Sequence, residues 1–169
     1  MSIPAIRNPL QVAHSFQLQK SDVELDFLLQ LNEWSHYVTL TYKKSKSGHT
    51  PCEAEVLRRS RLFLSRLNRC IFGRQAQRRY QHRIGSCAFI GWGAYGDHPH
   101  THWLLAKAPH QSNQIFVEVI NRTASTTSGI GQVRDVQIYY DQRALEYALG
   151  HGFENLIHEV TFAAKCSVR

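Results

Sequence analysis

Three things are missing from this sequence: a long apolar run, a closely spaced cysteine pair and an HExxH motif. No stretch approaches the roughly 20 apolar residues that a membrane-spanning helix needs, which argues against a transmembrane protein. Residues 1–16 also lack the apolar segment of a secretory signal peptide. Without HExxH, a zinc-dependent hydrolase is disfavoured.

The cysteines are too far apart for the common cysteine-based zinc sites. The chain has four, Cys52, Cys70, Cys87 and Cys166, and none forms a CxxC pair. With no export signal, these residues are expected to be free thiols in a reducing environment. The sequence therefore predicts a cytoplasmic protein.

Acidic residues are scarce relative to basic ones. The chain carries 20 Lys and Arg against 13 Asp and Glu, a formal net charge of +7. Such an excess favours a polyanionic partner, with nucleic acid first and an anionic membrane surface second, although a merely basic protein would have the same balance. The 169 residues, 43% of them hydrophobic, are expected to form one domain, with residues 1–20 as a loose arm.

Apolar periodicity predicts a mixture of strands and helices. Strands are expected over 36–43, 87–95, 100–107 and 133–140, with 156–163 as a candidate fifth strand. Helices are expected over 22–32, 51–72, 114–124 and 142–149. A hairpin between two helices is typical of an α+β sandwich of ferredoxin-like or RRM-like plan. We therefore expect a central antiparallel sheet of four or five strands with helices packed on it.

The longest predicted helix has clear boundary signals. Thr50 is expected to cap it, with Pro51 at the first helical position and Glu53 closing the capping box, and Gly73 is expected to end it. Its predicted buried stripe consists of Val56, Leu57, Phe63, Leu64, Leu67 and Ile71. In the next helix the side chains expected to point inward are Ile115, Phe116, Val119 and Ile120.

Histidines occur at every second position where the predicted third strand begins: His98, His100 and His102. Alternate side chains of a strand share a face, so His100 and His102 should lie on one face, with Thr101 and Trp103 on the other. Two neighbouring imidazoles can bind one divalent metal ion. The alternative is a solvated histidine-rich turn leading into a strand.

Three short motifs stand in the order of a known family. Val38–Thr41 reads apolar-Thr-apolar-Thr, His100-Thr101-His102 precedes an apolar run, and Tyr147 lies in a predicted helix. Together they resemble the motifs of HUH-type endonucleases, the rolling-circle replication initiators (Rep proteins) of small plasmids and phages. The motifs fall within residues 36–151, which is most of the chain.

The resemblance implies metal-dependent nicking and joining of single-stranded DNA, as in the initiation of rolling-circle DNA replication. Tyr147 would be the catalytic nucleophile that forms a 5′-phosphotyrosine link and releases a 3′-OH. His100 and His102 would hold Mn²⁺ or Mg²⁺, of which Mn²⁺ suits imidazole better. Tyr139 and Tyr140 are rival nucleophiles.

Two positions depart from the family pattern. The strand before the histidine pair usually carries an acidic third ligand, and the comparable stretch of this chain contains no acid. Asp97 and His98 are the candidates to replace it. Gly150 stands where the family has lysine after the tyrosine, so His151 or Lys107 would have to supply the positive charge.

These departures keep a second interpretation open, a non-catalytic nucleic-acid-binding module that serves as a regulator or accessory factor. In either case the expected partner is single-stranded DNA rather than a membrane, with a helicase or other replication protein as a candidate associate. The side chains expected to contact nucleic acid are Lys43, Lys44, Lys46, Arg58, Arg66, Arg69 and Trp103.

Overall fold

The computed structural model describes residues 27, 30–80, 82–93, 98–139 and 155–165. Its strands are β1 (His36–Tyr42), β2 (Gly85–Gly91), β3 (His100–Ala106) and β4 (Ile130–Ile138). Helix α1 (Glu53–Tyr80) connects β1 to β2, and helix α2 (Asn113–Thr126) connects β3 to β4. A short 3₁₀ helix, His158–Val160, follows in the C-terminal segment 155–165.

The four strands form one antiparallel sheet in the order β2-β3-β1-β4. The two strands at the centre, β1 and β3, are therefore not consecutive in the chain. With the element order strand-helix-strand-strand-helix-strand, this arrangement is the ferredoxin-like plan. The predicted α+β sandwich is confirmed.

The two faces of the sheet bury different sets of side chains. Toward α1 and α2, the fully buried side chains of Leu40, Phe63 and Trp103 belong to the main core. On the opposite face, Phe89 and Leu104 belong to a smaller apolar cluster that includes residues from outside the sheet. The predicted alternation along β3 is confirmed, because Trp103 and Leu104 belong to different clusters.

A buried hydrogen-bond network lies between the sheet and α1. The Tyr42 hydroxyl is 2.8 Å from Ser60 Oγ and 2.8 Å from Thr101 Oγ1, and Trp103 Nε1 donates to Thr101 Oγ1 at 2.7 Å. Burial raises the pKa of Tyr42 above its ordinary value. Because each polar group has a partner, the network links β1, β3 and α1 without leaving a desolvated donor or acceptor.

Helix α1 begins later than predicted. Its first residue is Glu53, so Thr50 is not its cap and Pro51 is not its first residue. The carboxylate of Glu55 accepts from the Cys52 backbone N–H at 3.2 Å, which is the back-bond of a capping box placed two residues further on.

Gly73 interrupts α1 as its sequence position predicts, but the helix then resumes. The Gly73 backbone has φ 78° and ψ 163°, a conformation that glycine adopts without steric cost. The chain turns there and continues as helix to Tyr80, so the prediction that the helix ends at Gly73 is half correct. The predicted stripe holds, with Phe63 and Leu67 fully buried.

Helix α2 and strand β4 correct two further predictions. Ile115 is 53% exposed, because the buried stripe of α2 runs through Phe116 and Ile120 and Ile115 lies a third of a turn away. Strand β4 begins at Ile130, inside the small-residue stretch predicted as loop. A tight turn with Gly129 at φ 83° brings Ile130 opposite Tyr42 of β1.

The candidate last strand, 156–163, forms only in part. The 3₁₀ helix at His158–Val160 interrupts that segment, and only isolated bridges join it to the edge of the sheet, such as Ser86 to Phe162. The predicted arm over 1–20 and the helix over 142–149 lie outside the described residues, as does most of the helix over 22–32.

Within the described part of the chain, no helix is long and apolar enough to cross a membrane. Cys52 and Cys70 are exposed free thiols, and Cys87 is a buried one. Burial raises the pKa of the Cys87 thiol to about 12, so it is protonated at neutral pH.

His36, the first residue of β1, is a fully buried imidazole. Its Nδ1 is 2.9 Å from Ser35 Oγ, and its ring meets the Phe116 ring edge-on at a centroid distance of 4.9 Å. Burial, with a smaller contribution from the positive charge of Lys107, lowers the pKa of His36 from 6.5 to about 4.

The free energy of unfolding should therefore decrease as the pH is lowered through a defined window. The unfolded chain protonates His36 near pH 6.5 and the folded chain only near pH 4, so the unfolded state binds more protons between these values. From about pH 7.5 to about pH 4.5, the free energy of unfolding should decrease by about 2 kcal/mol more in the wild type than in His36→Gln. Urea unfolding at several pH values measures this difference, and equal slopes in the two proteins would contradict it.

Candidate functional site

The two predicted metal-binding histidines lie together at the start of β3. The ring centroids of His100 and His102 are 4.8 Å apart, with planes inclined at 79°. Both project from the sheet face opposite α1 and α2, as the alternation along the strand predicts. His102 is buried, whereas His100 is half-buried.

Hydrogen bonds at Nδ1 orient both rings. His100 Nδ1 is 3.0 Å from the His98 carbonyl oxygen, and His102 Nδ1 is 2.5 Å from the Tyr37 hydroxyl and 3.2 Å from Thr39 Oγ1. A carbonyl can only accept, so His100 Nδ1 carries the proton and Nε2 of the neutral ring has the lone pair. Metal-binding histidines are usually held in this way, by an outer partner on the nitrogen that does not coordinate.

The Thr-x-Thr motif of β1 lies directly opposite the histidine pair. In the register of the two central strands, Thr39 faces His102 and Thr41 faces His100. Tyr37 stacks on the His102 ring at a centroid distance of 5.6 Å and an interplanar angle of 15°. Sequence reasoning did not identify Tyr37, although its parity with Thr39 and Thr41 along the strand was a usable signal.

On the other side of β3, Gly91 makes room for the His100 ring. Gly91 of β2 pairs with His100, and a Cβ at this position would lie 2.3 Å from His100 Nε2. The strand in which the family pattern has an acid thus has no side chain here. The bare backbone allows the imidazole to lie across β2.

Of the two proposed replacements for the acidic ligand, the described structure bears only on His98. Asp97 lies outside the described residues. His98 meets the pair through its backbone carbonyl, because Pro99 interrupts the strand alternation, and its exposed side chain does not complete a ligand set. Over the described ranges, no three His, Cys, Asp or Glu side chains are grouped closely enough to hold a metal ion.

An acid that sequence reasoning passed over lies on the same sheet face. Asp135 of β4 is paired with Thr39, which in turn is paired with His102, so the three form one row across the sheet. Gln137 Nε2 donates to Asp135 Oδ2 at 2.6 Å. Asp135 is two strands from His102, and only the pairing of β4 with β1 reveals that the two share a row.

The predicted nucleophile, Tyr147, lies outside the described residues, as does its rival Tyr140 and the predicted helper His151. The other rival, Tyr139, is half-buried and packs against the smaller apolar cluster. Lys107, the second predicted helper, follows β3 at the end opposite to His100, and its backbone N–H donates to Ser35 Oγ at 2.9 Å. Lys107 is therefore distant along the strand from the pair that it was expected to assist.

The structure separates the predicted nucleic-acid contacts into two groups. Lys43, Lys44, Lys46, Arg58 and Arg69 are exposed. Trp103 is not available for base stacking, since its side chain is fully buried against Phe63 on the helix side of the sheet. Arg66 is committed to the fold, because its Nη1 donates to the Thr126 carbonyl at the end of α2.

The exposed lysines leave the sheet at the edge where the histidine pair lies. Strand β1 ends at Tyr42, one residue after Thr41, which is opposite His100. Lys43 follows directly, and its backbone is held by a hydrogen bond from its N–H to the Gly129 carbonyl at 2.9 Å. This basic loop, residues 43–49, places positive charge at the His100 end of the sheet.

Comparison of the chain with protein-family models, with curated proteins and with solved structures finds no match.

The close approach of Gly91 to His100 leads to a double-mutant test. Gly91→Ala introduces a methyl group where the His100 ring lies, and we expect a loss of about 1–3 kcal/mol in the free energy of unfolding. In a His100→Ala background the ring is gone, so the same substitution should cost much less. Denaturant unfolding of the four proteins measures the coupling, and additive effects would mean that the contact is absent.

Proposed function

We propose that this protein is a metal-dependent nuclease that nicks and rejoins single-stranded DNA through a tyrosine. The observation that carries the proposal is the histidine pair on one sheet face, with each Nδ1 held by an oxygen atom and with the Thr-x-Thr strand paired directly opposite. The two motifs are about 60 residues apart in the chain, and the pairing of β1 with β3 brings them together. Free thiols at Cys52 and Cys70 agree with the cytoplasmic location that such an enzyme needs.

His100 and His102 are the residues that would hold the divalent ion. Two nitrogen donors suit Mn²⁺ better than Mg²⁺, which prefers oxygen ligands. When bound, the ion would supply positive charge beside the phosphate oxygens. With two imidazoles, further ligands would have to come from water, from the DNA phosphate or from residues beyond those described.

Tyr147 is the nucleophile of the proposed reaction. Its phenolic oxygen forms a bond to phosphorus while the bond from phosphorus to the 3′ oxygen breaks, and the phenolic proton is lost as the 3′ oxygen gains one. A phenol ionises only near pH 10, so the reaction should accelerate as the pH rises from neutrality. The basic loop 43–49 would hold the DNA backbone near the histidine pair.

Covalent adduct formation tests the proposal. A 3′-labelled single-stranded oligonucleotide incubated with the protein and Mn²⁺ should give a protein–DNA adduct carrying the labelled 3′ fragment, visible on a denaturing gel. The same oligonucleotide labelled at its 5′ end should instead release a shortened labelled fragment that ends in a 3′-OH. His100→Ala and His102→Ala should each reduce the adduct by at least about tenfold, and Tyr147→Phe should abolish it. Chelation with EDTA should have the same effect as the histidine substitutions.

Matched controls keep the result specific. His110→Ala removes an exposed imidazole beyond the end of β3 that is away from His100, and Tyr140→Phe removes the rival phenol. Both variants should form adduct at nearly the wild-type level. If no substrate gives an adduct with either metal, or if Tyr140→Phe rather than Tyr147→Phe abolishes it, the proposal in this form is wrong.

A second candidate is a nucleic-acid-binding module without catalysis. It is favoured by a specific observation: in the regions that the structure covers, no acidic or other third ligand joins the histidine pair. Such a module would bind single-stranded DNA without metal and without cleaving it. Its affinity would survive substitution of His100, His102 and Tyr147.

Either function predicts that the basic loop contributes to the salt dependence of DNA binding. Replacing Lys43, Lys44 and Lys46 by glutamine should make the plot of log affinity against log salt shallower by about 2, because each phosphate contact on a single strand contributes about 0.7. Fluorescence anisotropy with a labelled oligonucleotide between about 50 and 200 mM salt measures this slope. The variant Arg66→Gln is the control, since that guanidinium is bound to Thr126, and an equal change of slope there would contradict the assignment.

A further inference from the structure

Three arginines surround a small pocket at the kink of α1, on the side of the molecule away from the histidine pair. The pocket has a volume of about 180 Å³ and is lined by Arg69, Arg74, Gln77 and Arg78. Among the described residues, no carboxylate lines this pocket. The positive φ of Gly73 turns the chain between Arg69 and Arg74, which brings arginines from before and after the kink to one place.

The guanidinium groups of this pocket differ from the guanidinium groups that are bound to the rest of the fold. Arg59 donates to the Lys43 and Gly129 carbonyls, and Arg83 donates to the Ala163 carbonyl. Within the described structure, the guanidinium groups of Arg69, Arg74 and Arg78 take part in no hydrogen bond and no ion pair. Three like charges held together without an acid repel one another, and a bound anion would relieve that repulsion.

A larger cleft adjoins the arginine pocket, and Gln77 lines both. The cleft has a volume of about 320 Å³ and lies between α1 and the C-terminal segment 155–165. Leu64, Val160 and Phe162 provide apolar walls, and Ser65 and Glu159 are among its polar groups. The remaining lining side chains are polar or charged, Arg61, Asn68, Gln77, His82 and Arg83. A cavity of this size that combines apolar walls with polar groups can hold a small molecule with both kinds of surface.

We infer that the cleft and the arginine pocket together form a binding site for a nucleoside phosphate. The phosphates would lie among Arg69, Arg74 and Arg78, where planar guanidinium groups match phosphate oxygens. The base and sugar would occupy the 320 Å³ cleft, in which the Arg83 guanidinium already stacks on the Phe162 ring at 4.7 Å. The inference does not depend on the proposed nuclease activity, because it uses none of the residues around the histidine pair.

Calorimetric titration of the full chain tests this site. ADP, pyrophosphate and adenosine are titrated separately in buffer with EDTA, so that no metal contributes. ADP should bind saturably and at least about fivefold more tightly than pyrophosphate, with adenosine weakest, because only ADP occupies both the pocket and the cleft. The double variant Arg74→Gln/Arg78→Gln should weaken ADP binding by at least about tenfold.

The arginine variants should fold normally, since neither side chain has a hydrogen bond or an ion pair to lose within the described structure. Arg58→Gln removes an exposed arginine of the same helix that lines neither cavity, and it should change ADP affinity by less than about twofold. An absence of saturable ADP binding, or an equal loss in Arg58→Gln, would overturn the inference. So would equal affinity for pyrophosphate and ADP, or binding of oligothymidylate instead of ADP through Arg74 and Arg78.

Discussion

The pairing register of β1 with β3 is the constraint on which the rest of the structure depends. It sets Thr39 against His102 and Thr41 against His100 on one face. On the other face it allows the Tyr42 hydroxyl to reach Thr101. A shift of one residue would reverse the faces of the strand that moved, so the polar network and the histidine site would be lost together.

Strand β3 can carry a polar site because one of its faces packs against the helices and the other carries the histidine pair. Trp103 and Leu105, which face the helices, supply much of the apolar contact that holds α1 and α2 on the sheet. The opposite face does not contact the two helices, and near His100, where the strand begins, the imidazole ring is half-buried. The same division explains why the indole of Trp103, adjacent to His102 in the chain, is a core side chain rather than part of the site.

The basic side chains of this protein differ in whether the fold already binds them. Arg59 and Arg66 donate to backbone carbonyls near the ends of β1 and α2, so they hold the fold together. The exposed lysines of loop 43–49 and the arginines at the Gly73 kink are on different parts of the surface. A net charge of +7 therefore does not describe one binding surface, and the two clusters can be tested independently.

Local pattern in the sequence was sufficient for the order of the elements, the ferredoxin-like class, the break at Gly73 and the shared face of His100 and His102. These features follow from periodicity and backbone preference over a few residues. The tertiary structure alone decided that Gly91 lies under the His100 ring and that Asp135 is in the row of His102. Strand neighbours that are distant in the chain leave no local signal, because their contacts arise only when the sheet forms.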